Sequence, residues 1–352
     1  MPRRYHRRVH ASPASPSSVQ QAVFLLVLPA VAGALTAWLG VRSAVAALVL
    51  WAEPLMLFVL LYGLGWLLWE RRVLPAIGLC LGGLVGGAIL RVPPAVIPPG
   101  EQSGTWAEAL RGCTKLPDPV RQPIRVLTWT LGDTDPVLTD LQEQRVDLAI
   151  LVGLNAPRVA ESWAQQLRGE AMIIPETPTS ERMALVVRGA FQYCGGHNDV
   201  WDVPLPTEQG ERARAVLTFP EVQGAGVVPF VAVQLPQLGD LPTWSGWSER
   251  VVRSSEAIGA LSRTLGPSRV VVAGDFGTPR TFREVASPLL GAGLHEVDVP
   301  ASWPAPVVGL HALDRVWAGS AWRSLAAWRL ASHGQPRAPL LVDLAPANAQ
   351  AR

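Results

Sequence analysis

The residues best placed to do chemistry are aspartates at the ends of β-type runs. Asp275 closes one such run in Val270-Val271-Val272-Ala273-Gly274-Asp275-Phe276-Gly277, where glycine on either side permits backbone angles closed to other residues. A carboxylate in that setting can ligate a divalent cation or cap a turn by accepting backbone N–H groups. Asp314 occurs in Leu313-Asp314-Arg315-Val316-Trp317, three residues after His311, and Asp133 and Asp135 follow an earlier apolar run. Asp133, Asp135 and His311 could assemble a metal site for hydrolysis, although an Asp-rich polar loop is ordinarily just solvated. No nucleophile elbow, phosphate-cradling Gly-Lys loop or zinc spacing of Cys and His is present. The formal net charge is +2, with Arg3, Arg4, Arg7 and Arg8 clustered at one end, so no nucleic-acid partner is expected.

The elements that must position these residues are strands mixed with helices. Short β-type runs cover Ile124–Trp129, Val146–Val152, Ala184–Val187, Ala215–Phe219, Val227–Leu235, Val270–Ala273, Val316–Trp317 and Leu340–Leu344. Helical patterns fall at Arg158–Arg168, at Ser245–Leu265 with Ser245 as its cap, and at Phe282–Leu290 after Pro279. Such a mixture predicts an α/β or α+β sandwich, and the roughly 240 residues left once the apolar block and its linker are set aside suffice for one large core.

Several of these fragments, in this order, resemble the endonuclease/exonuclease/phosphatase family with its DNase-I-like fold. Gly274-Asp275-Phe276, then Thr278-Pro279, a helix, and Gly291-Ala292-Gly293-Leu294 is similar to the family's Gly-Asp-Phe-Asn turn and the helix after it. Arg125-Val126-Leu127-Thr128-Trp129-Thr130 resembles its opening strand, which normally ends in Asn. Val146–Gly153 resembles its second strand, normally ending in Glu, and Val231-Ala232-Val233-Gln234-Leu235 the strand that carries a His. Leu313–Trp317 resembles the late Asp strand, and Pro336–Leu344 the final segment that normally opens with Asp-His. The resemblance implies an α/β/β/α fold of two packed sheets flanked by helices, and hydrolysis of phosphate esters with a divalent cation.

Read residue by residue, the same resemblance predicts a silent site. Asp275 and Asp314 are retained, whereas Thr130, Gly153, Gln234, Gly277, Pro336 and Arg337 replace the family's Asn, Glu, His, Asn, Asp and His. Magnesium needs a near-octahedral oxygen set with one or two carboxylates, and glycine offers no ligand. Glutamine does not exchange a proton near neutral pH, and arginine stays protonated. General acid–base catalysis contributes about 10²- to 10⁴-fold, and metal electrostatics several kcal/mol more. The expectation is a pseudoenzyme with no cofactor, in which Asp314 pairs with Arg315 or with Arg337. The alternative is a phosphodiesterase or phosphatase with an altered site, and only then is magnesium or manganese expected.

Before this domain the chain is apolar and nearly free of acids. A basic, Ser/Pro-rich tail spans residues 1–21, and the runs Val23–Leu39, Ala44–Trp69 and Val73–Leu90 each approach the 17 to 25 residues that cross a bilayer. The first run is not read as a cleaved signal peptide, because further apolar runs follow it at once. Residues 22–91 are therefore expected to be three transmembrane helices, 92–105 a Pro-rich linker, 106–346 the sandwich and 347–352 a tail. With the tail arginines and Arg71–Arg72 inside, three crossings place the sandwich outside the cytoplasm of a bacterial inner membrane; two crossings would reverse that. Glu53 interrupts the second run and is read as lying near the outer surface, with Pro54 opening a short helix. On the outer side a Cys113–Cys194 disulfide is permitted, while Cys80 lies in the third apolar run. Trp129 and Trp317 are expected in the core, and Trp244 and Trp247 at a helix start, packed there or exposed to a partner. The expected partners are the lipid bilayer and an envelope protein or glycan, for which the sandwich serves as a binding or scaffold module.

Overall fold

A computed structural model describes residues 18–39, 53–70, 72–91, 122–132, 143–176, 181–192, 201–203, 213–236, 244–280, 282–303 and 311–347. Cys113, Cys194, Asp133, Asp135, the basic start of the tail and the Pro-rich linker lie outside the described residues, as do the side chains of Glu53 and Trp244. The chain divides into two compact units, residues 1–39 with 48–92 and residues 40–47 with 93–352.

In the first unit the apolar runs form α1 (Ser18–Leu39), α2 (Glu53–Trp69) and α3 (Val73–Arg91). Helix α2 begins at Glu53 and Pro54, where a proline costs no intrahelical hydrogen bond. Helices α1 and α3 meet backbone to backbone along a stripe of glycines spaced four apart, one helical face. A Cβ on Gly78, Gly82 or Gly86 would lie 2.2, 2.5 or 2.6 Å from the carbonyl oxygens of Ala22, Leu25 and Pro29. Large apolar side chains point outward around the unit, among them Phe24, Leu61, Tyr62, Trp69 and Leu84. Among the described residues no helix is long and apolar enough to cross a membrane.

The second unit is a mixed α/β sandwich of two sheets. Its strands are β1 (Ile124–Thr130), β2 (Leu148–Val152), β3 (Glu170–Ile174), β4 (Met183–Val187), β5 (Gly189–Gln192), β6 (Trp201–Val203) and β7 (Arg214–Val222). They continue with β8 (Gly226–Val227), β9 (Phe230–Gln234), β10 (Val271–Asp275), β11 (Leu294–Glu296), β12 (Asp314–Gly319), β13 (Trp322–Arg329) and β14 (Leu340–Pro346). The first sheet runs β13-β14-β1-β2-β4-β3 and the second β11-β12-β10-β9-β7-β5, with β6 and β8 also on β7. The two sheets repeat one plan: a parallel pair, β1 with β2 or β9 with β10, sits between antiparallel neighbours.

Alternation along the strands sends every second side chain between the sheets. Val126, Ile150, Val342, Phe230, Ala232, Ala273 and Val316 belong to that shared core. The opposite face of the first sheet buries Leu127, Trp129, Leu151 and Val186 with Trp163 of α4 (Pro157–Leu167). The outer side chains of the second sheet, Val231, Val233, Val272 and Trp317, are equally buried. Helices α5 (Trp244–Thr264) and α6 (Arg283–Gly291) complete the unit.

Three local expectations need correction. Helix α5 starts at Trp244, so Ser245 lies in its first turn and is not its cap. The run Val227–Leu235 is two strands, because Pro229 brings no N–H to the ladder and separates β8 from β9. The expected strand at Val146 begins only at Leu148.

Candidate functional site

The expected site residues collect at one end of the inter-sheet core, at the carboxyl ends of the two parallel pairs. Across the second sheet, Arg214 is in register with Gln234, Gln234 with Asp275, and Asp275 with Asp314. All four side chains leave their strands on the face toward the first sheet, the face that also carries Val216, Ala232, Ala273 and Val316 of the shared core. Facing them, Thr130 ends β1 and pairs with Val152, and Gly153 follows at once.

One hydrogen bond joins the two sheets at this point: the Thr130 hydroxyl donates to Asp314 Oδ1 at 2.6 Å. Ser302 donates to Asp314 Oδ2 at 3.1 Å. Arg337 arrives from the segment between β13 and β14, and its Nη1 donates to Asp275 Oδ1 at 2.7 Å and lies 3.6 Å from Asp314 Oδ2. The backbone N–H of Gly277 donates to the same Asp275 oxygen at 2.8 Å. Asp275 and Asp314 have no exposed surface, and Thr130, Gln234 and Arg337 are buried beside them.

The segment that delivers Arg337 is held by bonds of its own. The Trp129 indole N–H donates to the Arg337 carbonyl at 3.0 Å, Gly132 N–H to Gln335 Oε1 at 2.8 Å, and Ala338 N–H to the Ser302 carbonyl at 3.0 Å. Pro336 presses on Gly132, where an added Cβ would lie 2.8 Å from its Cδ.

Charge follows from this geometry. Burial pushes Asp314 above the ordinary carboxyl range; Asp275 adds to the rise, while Arg337 and the Thr130 and Ser302 hydroxyls oppose it. Burial alone would lower Arg337, but Asp275 and Asp314 outweigh it and hold the guanidinium above its ordinary value. Arg337 is therefore a permanent cation between two buried acids.

The expected pairing of Asp314 with Arg315 is not formed, because neighbours along a strand point to opposite faces. Arg315 is buried on the outer side, bonded to the Thr278 carbonyl and to Thr278 Oγ1, the latter at 3.0 Å, with its guanidinium 5.5 Å from the Phe276 ring centroid. Burial lowers it to about 10. Gln234 accepts from the Glu181 backbone N–H at 3.1 Å. Gly153 has φ +80°, and a Cβ there would lie 3.0 Å from Glu181 Oε2 and 3.1 Å from the Leu131 carbonyl. A side chain at that position is thus strained as well as crowded. His311 pairs by backbone with Trp303 and stacks on its ring, centroids 6.2 Å apart. Trp247 is buried, its indole donating to the Pro236 carbonyl at 2.9 Å, while Trp129 and Trp317 lie in the core.

These residues do not fit a catalytic divalent cation. Asp275 Oδ1 already accepts from Arg337 and Gly277, both oxygens of Asp314 accept hydroxyls, and Gly153 contributes nothing. Among the described residues no group of three or more His, Cys, Asp or Glu could hold a metal ion. Sequence reasoning missed Ser302, Gln335 and Arg214. The first two lie in irregular segments that carry no pattern, whereas Arg214 sits on a strand facing Gln234 and could have been found by its alternation.

No family model matches the chain, and no curated protein matches it. Among solved structures, the chain is similar to an endonuclease/exonuclease/phosphatase from Beutenbergia cavernae, with 17% identity, a TM-score of 0.49, and coverage of 64% of this chain and 72% of that one. A mannosyl-6-phosphatase from Bacteroides thetaiotaomicron is similar at 11% identity, TM-score 0.43, with coverage of 63% and 99%. Sphingomyelinase C from Streptomyces griseocarneus is similar at 14% identity, TM-score 0.43, with coverage of 63% and 99%.

Proposed function

We propose that the chain is a membrane-anchored binding or scaffold module of the bacterial cell envelope, built on a DNase-I-like sandwich whose hydrolytic site is silent. The observation that carries this reading is the Arg337 guanidinium on Asp275 and Asp314, where a phosphoesterase needs a free carboxylate for metal. A fixed guanidinium supplies charge but neither lowers the pKa of a bound water nor exchanges a proton at neutral pH. The glycine at 153 and the glutamine at 234 remove further groups that such chemistry would use.

The apolar helices of the first unit, with large side chains turned outward on many faces, support an anchor in the inner membrane. The sandwich then lies on the extracytoplasmic side and offers its loops to an envelope protein or glycan.

Catalysis is tested on the full chain in detergent with magnesium or manganese, using phosphate monoesters, phosphodiesters, sphingomyelin and DNA. Turnover is expected to match that of Asp275→Ala for every substrate. Metal-dependent turnover that disappears in Asp275→Ala would overturn the reading.

A further inference from the structure

We propose that the Asp275–Asp314 pair is a cation site whose resident cation is the Arg337 side chain, so that truncating this one side chain opens the site to a diffusible cation. Both carboxylates are buried without exposed surface, and a buried acid pair that is to stay ionised requires a counter-charge. Nη1 of Arg337 supplies it, 2.7 Å from Asp275 Oδ1 and 3.6 Å from Asp314 Oδ2.

Each carboxylate also accepts hydrogen bonds from groups other than the guanidinium. Gly277 N–H holds Asp275, and the Thr130 and Ser302 hydroxyls hold Asp314. The backbone that delivers Arg337 is pinned by Trp129 on its carbonyl, by Gln335 on Gly132 and by Ala338 on Ser302. Removing the side chain vacates the place of a guanidinium beside two buried acids, Asp275 and Asp314. Hard divalent ions take carboxylate oxygens, and free guanidinium matches the shape of what was removed. This charge balance rests on the same residues as the functional reading but not on catalytic silence, and its test reads stability and binding, not turnover.

Thermal unfolding of the full chain in detergent is compared for the native sequence, Arg337→Ala, and Arg337→Ala combined with Asp275→Ala. Each is measured with EDTA, with millimolar manganese, and with millimolar guanidinium far below denaturing concentrations. The native Tm is expected to ignore all three additions. Arg337→Ala should melt lower by on the order of 10 °C and regain at least half of the loss with manganese or guanidinium, whereas the double variant regains nothing. Manganese titration followed by electron paramagnetic resonance should show one bound ion gained in Arg337→Ala and lost again in the double variant.

A native Tm that rises with manganese overturns the proposal. So does an Arg337→Ala protein as stable as the native one without added cation, or one that neither cation rescues. Should Arg337→Ala fail to fold, Arg337→Lys and Arg337→Gln decide: lysine keeps a cation there and should fold, glutamine should not. Equal behaviour of the two overturns the charge reading.

Discussion

At the scale of single residues, burial sets charge, and His295 makes this measurable away from the candidate site. It lies on β11 opposite Ala318, at the edge of the second sheet, and burial holds its imidazole below the ordinary value of about 6.5. The unfolded chain therefore takes up the proton first as pH falls, and native stability contributed here is lost between about pH 6.5 and the lower folded value. Replacing His295 with Gln should flatten the fall in Tm between neutral and mildly acidic pH, most clearly just below pH 6.5; identical pH profiles for the two proteins would count against it. Legibility at this scale had a clear limit. Asp275 and Asp314 were visible as acids at strand ends, because glycine-flanked turns and alternation leave marks in the sequence. The sequence leaves the partner of Asp314 open between Arg315 and Arg337, and the geometry places Arg337 nearer to Asp275 than to Asp314. Strand alternation alone would have removed Arg315. Ser302 carried no comparable mark: its hydroxyl reaches Asp314 only through the course of an irregular segment.

At the scale of elements, the long apolar runs were legible because they satisfy a period of two or lie buried on both faces. β3, β5, β6, β11 and β13 were not. β13 reads Trp-Arg-Ser-Leu-Ala-Ala-Trp-Arg, with Arg323, Ser324 and Leu325 exposed and a register shift between Ser324 and Ala326. That irregularity breaks the alternation which would have announced it. β11 is three residues long and is defined by pairing with β12, information that no local window contains. The helices of the first unit raise a different question, since runs of apolar residues do not say which face meets which helix. The Gly78, Gly82 and Gly86 stripe answers it: α3 touches the backbone of α1 there. Gly82→Leu should separate the two helices, because even its Cβ would lie 2.5 Å from the Leu25 carbonyl oxygen. The expected loss is at least the roughly 1–3 kcal/mol of ordinary overpacking, read as faster proteolysis between α1 and α3 in detergent. Gly65, with nothing within 4 Å of an added Cβ, is the control: Gly65→Leu should leave the digestion rate unchanged. Equal sensitivity in both variants would mean that the stripe does not hold the pair.

At the scale of the whole molecule, the orientation of the chain decides what the sandwich can meet. Arginine clusters precede α1 and α3, at Arg3 to Arg8 and at Arg71–Arg72, while acids are scarce throughout the apolar block. Positive charge is retained on the cytoplasmic side, so a chain that crosses at α1, returns at α2 and crosses again at α3 keeps both clusters inside. The three helices have 22, 17 and 19 residues. At 1.5 Å per residue, α2 is the shortest against a hydrocarbon layer of about 30 Å, and it is the element on which the count turns. The helix is described from Glu53 onward, so on the proposed topology this acidic position belongs to the end of α2 and not to its middle, where a charge is most costly. Trp66 and Trp69 lie at its other end, largely exposed and next to Glu70 and Arg72, as aromatic residues do where a helix leaves the bilayer. Reporter fusions after Arg42, Arg72 and Pro99 should therefore report outside, inside and outside in turn. If the fusions at Arg42 and Arg72 report the same side, α2 does not cross. An inside signal after Pro99 would put the sandwich in the cytoplasm, where an envelope partner could not reach it and a Cys113–Cys194 bridge would not persist.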